Sequence, residues 1–387
     1  MRPLIPPAPG PHPRPPACTR RAWLMAAAAV GGAPWLMAPA TATAQALAPR
    51  TLAFPRDHGS HPELRTEWWY ITGQALAAGQ PWGFQVTFFR SRVEAAQPLQ
   101  SAFAAKQLVF AHAALTDLRG GTLHHDQRIA RAGFGIAQAS EEDTRIRLGE
   151  WTLTRSQQGA GSRYAATVQA EGFALELQFD TTQPVLLQGA QGLSRKGPDA
   201  SQASYYYSQP QMAVTGHLQL AGRRMAVEAA APGNHLDNRA WLDHEFGDAL
   251  APPDSVGWDW IGMNLLDGSA LTAFRLRHRD GSAIWAGGSL RTAGGEPRAF
   301  GPRDVTFTPL RHWVSPASQA RYPVQWRIDT PAGTFEVHAL LDAQELDSQA
   351  STGAIYWEGL SELRDRSGRM VGRGYLEMTG YARPLRL

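Results

Sequence analysis

Asp259 stands between Trp258 and Trp260 in a stretch that reads as a β-strand. In an extended chain it shares a face with Gly257, Ile261, Met263 and Leu265, while the two tryptophans, Gly262 and Asn264 take the other. Burial penalises a charged carboxylate, so an acid among aliphatic groups keeps its proton towards neutral pH and can deliver it to a carbon–carbon double bond. Asp259 is therefore the leading catalytic candidate; a structural ion pair, for instance with Arg275, is the competing assignment. Glu67 poses the same choice. It shares a face with Trp69, Ile71 and Gly73, and is either a second acid or an anchor held by Arg56 or Arg65. In Trp241-Leu242-Asp243-His244-Glu245-Phe246, both carboxylates lie on the face of Trp241 and His244 lies with Leu242 and Phe246. Asp243 and Glu245 can share a proton or hold a cation, or form a solvated acidic face.

The aromatic residues supply the matching ligand chemistry. Trp69, Tyr206, Trp241, His244, Trp258 and Trp260 are candidate walls for an elongated hydrocarbon, and ring faces steady a positive charge. His244 and His112 each sit among apolar neighbours and read equally as core histidines. Asp57, His58 and His61 come nearest to a ligand set for a metal, across a turn at Gly59-Ser60; His124, His125 and His235 lack the spacing of a zinc site. We assign neither metal nor cofactor. There is no G-x-S-x-G elbow, and the Gly189–Gly197 run matches neither a P-loop nor a dinucleotide fingerprint.

Strands must position these groups. Trp82, Phe84, Val86 and Phe88 alternate with smaller or polar residues, as do Leu175-Glu176-Leu177-Gln178-Phe179 and Phe335-Glu336-Val337-His338-Ala339. Period-two alternation marks strands with one buried face. Asp267-Gly268, Asp280-Gly281 and Ser367-Gly368 are hairpin turns between such runs. Many short strands predict an all-β chain of two antiparallel barrels in tandem, residues 45–248 and 256–387, separated at Ala249–Ser255 by two prolines that a central strand would not accept. Glu67-Trp68 and Asp259-Trp260 hint that the halves are related.

Residues 1–44 read as a leader. Thr19-Arg20-Arg21 precedes an apolar run that ends in Ala42-Thr43-Ala44, a twin-arginine pattern with a small-residue cleavage site. The expectation is Tat export to the periplasm, with no bilayer-length apolar run after cleavage. Four of the 37 basic residues and none of the 34 acids fall in the leader, so the remainder is close to neutral and shows no basic stripe for nucleic acid. The single cysteine, Cys18, is also there, which removes disulfides and a thiol nucleophile from the mature chain.

Several motifs resemble the AttH-like branch of the carotenoid hydratase (CrtC) family. They are Phe54–Pro62 with Thr66–Gly73, Tyr205–Pro210, Trp241–Phe246, Gly257–Trp260 and Gly372–Tyr381. The resemblance implies two lipocalin-like barrels and an apolar isoprenoid or lipid-like ligand. It also implies cofactor-free hydration, which needs a proton donor (Asp259), cation-facing rings (Trp258, Trp260, Tyr206) and a water contact (Asp243 or Glu245). The alternative function is a non-catalytic carrier or chaperone in the cell envelope, meeting transport partners there; a scaffold with filled barrels is a third.

Overall fold

The computed structural model describes residues 46–229, 238–248 and 251–385. The leader, His235 and the Ala249-Leu250 start of the boundary lie outside them. The described chain is strand and turn, with two single-turn helices at Arg56–His58 and Glu94–Ala96. No described helix is long and apolar enough to cross a membrane.

Alternation becomes burial as expected. Strand Gln80–Arg92 buries Trp82, Phe84, Val86 and Phe88 in one core, and Gly281 and Gly368 turn their hairpins at φ +86° and +79°, where a side chain would be strained. The strands form two antiparallel sheets of fourteen and ten members. The first ends with Arg239–Gly247 and the second begins with Gly257–Leu265. In the first sheet, Gln107–Asp117 and Thr122–Arg131 return against Ala137–Ala139 and Arg145–Leu148, giving a nearly closed barrel. Its interior holds Trp69, Phe84, Phe88, Tyr164, Phe179 and Leu242. The second sheet curls around Ile261, Met263, Leu271, Trp326, Trp357 and Leu376. Its end strands, Pro297–Phe300 and Thr306–Val314, do not pair with each other. The architecture is thus two lipocalin-like sheets, the first nearly closed and each packed with its own side chains.

The outer faces of the two sheets press together. Tyr70, Trp241, Trp260, Phe274, Leu360 and Tyr375 form one apolar cluster that draws on both. Fully burying each such side chain contributes roughly 1.5–3 kcal/mol, so the seam binds the sheets firmly. Polar stitches run beside it: Gln211 Nε2 donates to the carbonyls of Leu265 (3.0 Å) and Ser269 (2.9 Å), and Asn264 Nδ2 to that of Ala240 (3.2 Å). At Gly262 an added Cβ would fall 2.4 Å from the Trp260 indole and 3.1 Å from that of Trp241. Only glycine lets the two indoles meet there. Residues 44–387 form a single compact unit.

Candidate active site between the sheets

Two polar clusters flank the strands Thr66–Ala77 and Arg239–Gly247, one on each face. Their register pairs Trp68 with Glu245, Trp69 with His244 and Tyr70 with Asp243, so adjacent residues serve opposite sides.

The inner face carries Glu67, Trp69 and His244 into the first barrel. Glu67 is fully buried and accepts from His61 Nδ1 (2.7 Å), His244 Nε2 (2.9 Å), Ser60 Oγ (2.9 Å), the His61 backbone N–H (2.9 Å) and Arg90 Nε (3.0 Å). Burial alone would push its pKa up; hydrogen bonds from His244 and His61 outweigh that and hold it well below the usual carboxylate range. His61 Nε2 lies 2.9 Å from Asp57, which is lowered to about 2 against its burial by His61, the Ala53 amide and Arg50. His58 bonds instead to Tyr207 (2.7 Å), and burial lowers it to about 2. Trp69 stacks on His244 at 4.6 Å and donates to the His58 carbonyl. Donor atoms of His61, Glu67 and His244 come within 4.8 Å of one another, as a metal site requires. Yet these atoms already bond each other, and the Arg90 cation occupies the second Glu67 oxygen. The cluster reads as a saturated lock, and Trp69, Glu67 and His244 are not ligand-facing, because their face is the filled interior.

The outer face looks onto a cavity of about 350 Å³ between the sheets. Half-buried rings of Trp68, Phe89, Phe110 and Trp258 line it, with Tyr206, Trp260 and Phe274. Four carboxyls join them: Asp243 and Glu245 from the first sheet, Glu358 and Glu377 from the second. Asp243 accepts from Ser208 Oγ (2.5 Å), Tyr206 OH (2.6 Å) and Trp241 Nε1 (2.7 Å). Burial nevertheless pushes its pKa to about 7, with Glu245 adding to the rise. Glu245 pairs with Lys196 Nζ at 2.8 Å and accepts from Ser204. The Lys196 ammonium also lies 4.7 Å from the Tyr206 ring and 4.6 Å from that of Phe274. Glu377 pairs across strands with both Trp260 and Glu358. Burial raises it to about 7, against hydrogen bonding to Trp258 and aided by Asp243 and Glu245. Glu358 is raised well above its ordinary value by burial and by Glu377. An acid–aromatic cavity of this kind can hold an apolar molecule and offer it a proton near neutral pH.

Of the expected catalytic acids, Asp243 and Glu245 line this cavity and Glu67 and Asp259 do not. Asp259 is buried on the inner face of the second sheet, 2.7 Å from Arg275 Nε and 3.6 Å from Arg277 Nε, and accepts from Tyr381 OH at 2.9 Å. Two guanidiniums and a tyrosine hydroxyl thus occupy it on the face turned away from the cavity. Of the expected ligand contacts, Tyr206, Trp258 and Trp260 line the cavity, and Trp241 stands behind it holding Asp243.

The chain matches the AttH-like family over residues 45–381. It belongs to that family. A crystal structure assigned as AttH from Nitrosomonas europaea is 44% identical, with TM-score 0.79, covering 88% of this chain and 100% of that one. Kievitone hydratase from Nectria haematococca shares the fold at 15% identity and TM-score 0.64, over 86% of this chain and 94% of its own. CghA, solved with Sch210972, is 14% identical at TM-score 0.51, over 84% and 89%. No match was found among curated proteins. This AttH-like chain therefore has a fold that a hydratase also uses.

Four cavity residues escaped the sequence reading. Glu358 and Glu377 sit on alternating strands, in Tyr356-Trp357-Glu358 and Tyr375-Leu376-Glu377, and the face test applied to Asp259 would have flagged both. His112, read as a core histidine, lines the cavity. Burial lowers it to about 3, and its ring bonds Tyr356 OH and Ser351 Oγ, each at 2.8 Å. Lys196 lay in a glycine-rich loop with no signal of its own.

Proposed function

We propose that this AttH-like protein binds an apolar isoprenoid or lipid-like molecule between its sheets and adds water across one of its double bonds without a cofactor, in the periplasm after Tat export. The observation that carries this is an aromatic cavity holding carboxyls kept protonated to about pH 7. Glu377 is the better-placed donor, being half-buried with its open side on the cavity, whereas three donors already occupy Asp243. The alkene π pair takes the Glu377 proton to form a C–H bond, leaving a cation beside the rings of Trp258, Trp260 and Tyr206. A water lone pair then forms the C–O bond, and the proton that water loses returns to the Glu377 carboxylate, which restores the acid. Kievitone hydratase, a hydratase by name on the same fold, supports the reaction class.

The test is turnover of isoprenoid alkenes in ¹⁸O-water by the purified mature chain, with products read by mass spectrometry. Glu377→Gln should lower the rate about 100-fold or more, the usual contribution of a general acid. Full activity in that variant would remove Glu377 from the role. The saturated hydrogen bonding of Asp243 also suits a carrier: a lipid recovered by solvent extraction, with no turnover of any alkene, favours that reading.

A further inference from the structure

Three buried polar atoms on the cavity wall make no well-aligned hydrogen bond among the described residues. They are the Tyr70 hydroxyl, Gln85 Oε1 and Glu358 Oε1. Their residues are 6%, 2% and 3% exposed. Unpartnered polar atoms this deep are rare in folded proteins and point to a group that completes them. They are also neighbours. Gln85 Nε2 donates to Thr87 (2.9 Å) and to Tyr356 OH (3.3 Å), which fixes the amide with its oxygen free. Tyr356 and Glu358 project from the same face of one strand, and the Tyr70 hydroxyl lies within reach of the Glu358 carboxyl without closing a well-aligned bond, so a guest hydroxyl can bridge the two. The first sheet supplies Tyr70 and Gln85 and the second Glu358, so the seat exists only where the sheets meet.

The three atoms need different things. Gln85 Oε1 requires a donor, the Tyr70 O–H requires an acceptor, and the Glu358 carboxyl serves either way when neutral. An ether or carbonyl gives no donor to Gln85. An ammonium gives no acceptor to Tyr70, and a carboxylate would meet the Glu358–Glu377 acid pair. A neutral hydroxyl answers all three, with one hydrogen to give and two lone pairs to receive. We propose that Tyr70, Gln85 and Glu358 form a hydroxyl seat, which selects apolar ligands bearing an alcohol or phenol and fixes which end of the molecule enters first. The inference rests on the cavity being the ligand site, and it assigns the ligand class more narrowly. In a hydration the same seat holds the oxygen of the alcohol product.

Quenching of tryptophan fluorescence by geraniol, geranyl methyl ether and myrcene tests it, since Trp68, Trp258 and Trp260 line the cavity. The three probes share a chain of ten skeletal carbons and differ in the oxygen group. Geraniol should bind at least tenfold more tightly than the ether. In Tyr70→Phe and Glu358→Leu that preference should fall to about twofold or less, with myrcene affinity unchanged. Circular dichroism checks that each variant folds, and the milder Gln85→Leu repeats the measurement should either fail. Equal binding of alcohol and ether by the wild type, with myrcene bound, overturns the seat and leaves the apolar cavity standing. No binding of any probe overturns both.

Discussion

Asp259 and Glu377 show how two acids on neighbouring strands of one sheet meet opposite surroundings. Both are acids in alternating strands, and Glu377 pairs with Trp260, the residue after Asp259. What separates them is the partner. Asp259 faces inward onto Arg275 and Arg277, whereas Glu377 faces outward towards Asp243 and Glu245. Removing one member of a buried ion pair strands the other, at a cost of about 3–5 kcal/mol. Asp259→Asn should accordingly lower the unfolding free energy by that amount, read from denaturant titrations, while the folded fraction keeps its ligand affinity; unchanged stability would refute the structural assignment. The faces of Asp243, Glu245 and Glu67 were all legible from alternation. Their chemistry was not, because it depends on residues distant in sequence, such as Lys196 for Glu245 and His61 for Glu67.

At the level of elements, the run Arg50–Leu64 is pinned across the first barrel by the Glu67 lock. His61, Ser60 and Asp57 tie it down, aided by the His58 carbonyl, which receives both Trp69 Nε1 and Thr144 Oγ1. Glu67→Leu would leave five donors unanswered. The expected outcome is preferential protease cleavage within residues 50–65, seen by mass spectrometry, ahead of any strand. Resistance equal to wild type would show that apolar packing of Leu52 suffices. This segment is the family's opening motif, and its Asp57, His58 and His61 invited a comparison with a metal site. The strands themselves were well marked by pattern, since each carries its own alternation. Closure of the first sheet and not the second was unmarked, because pairing of end strands is a property of the whole sheet.

On the scale of the whole molecule, buried groups of opposite sign set the response to acid. His58 and His112 have folded values lowered to about 2 and about 3, so below pH 6.5 the unfolded chain takes up protons that the folded one refuses, and stability falls. Asp243 and Glu377 act in reverse. Their folded values of about 7 exceed the unfolded ones, so stability is gained as pH drops from 7 towards 4.5 and is lost as pH rises through 7. In Glu377→Gln one of the compensating groups is gone. Its stability should decline more steeply than wild type between pH 6.5 and 5, by about 1 kcal/mol per pH unit, read from urea midpoints. Parallel curves would mean that Glu377 is ionised in the folded protein. None of this balance could be foreseen from one sequence, which shows which residues share a face but not which faces meet.

The strict parity of Thr66–Ala77 and Arg239–Gly247 has a consequence for redesign. Trp68, Tyr70, Asp243 and Glu245 look onto the cavity, and Trp69, Ile71, Leu242 and His244 into the filled barrel. Each strand is two interleaved instruction sets, one for holding the scaffold and one for choosing the guest. A library varied only at the cavity positions can therefore explore new specificities while the scaffold set stays untouched. A single-residue insertion would exchange the two sets along the entire strand, and no neighbouring substitution could restore either.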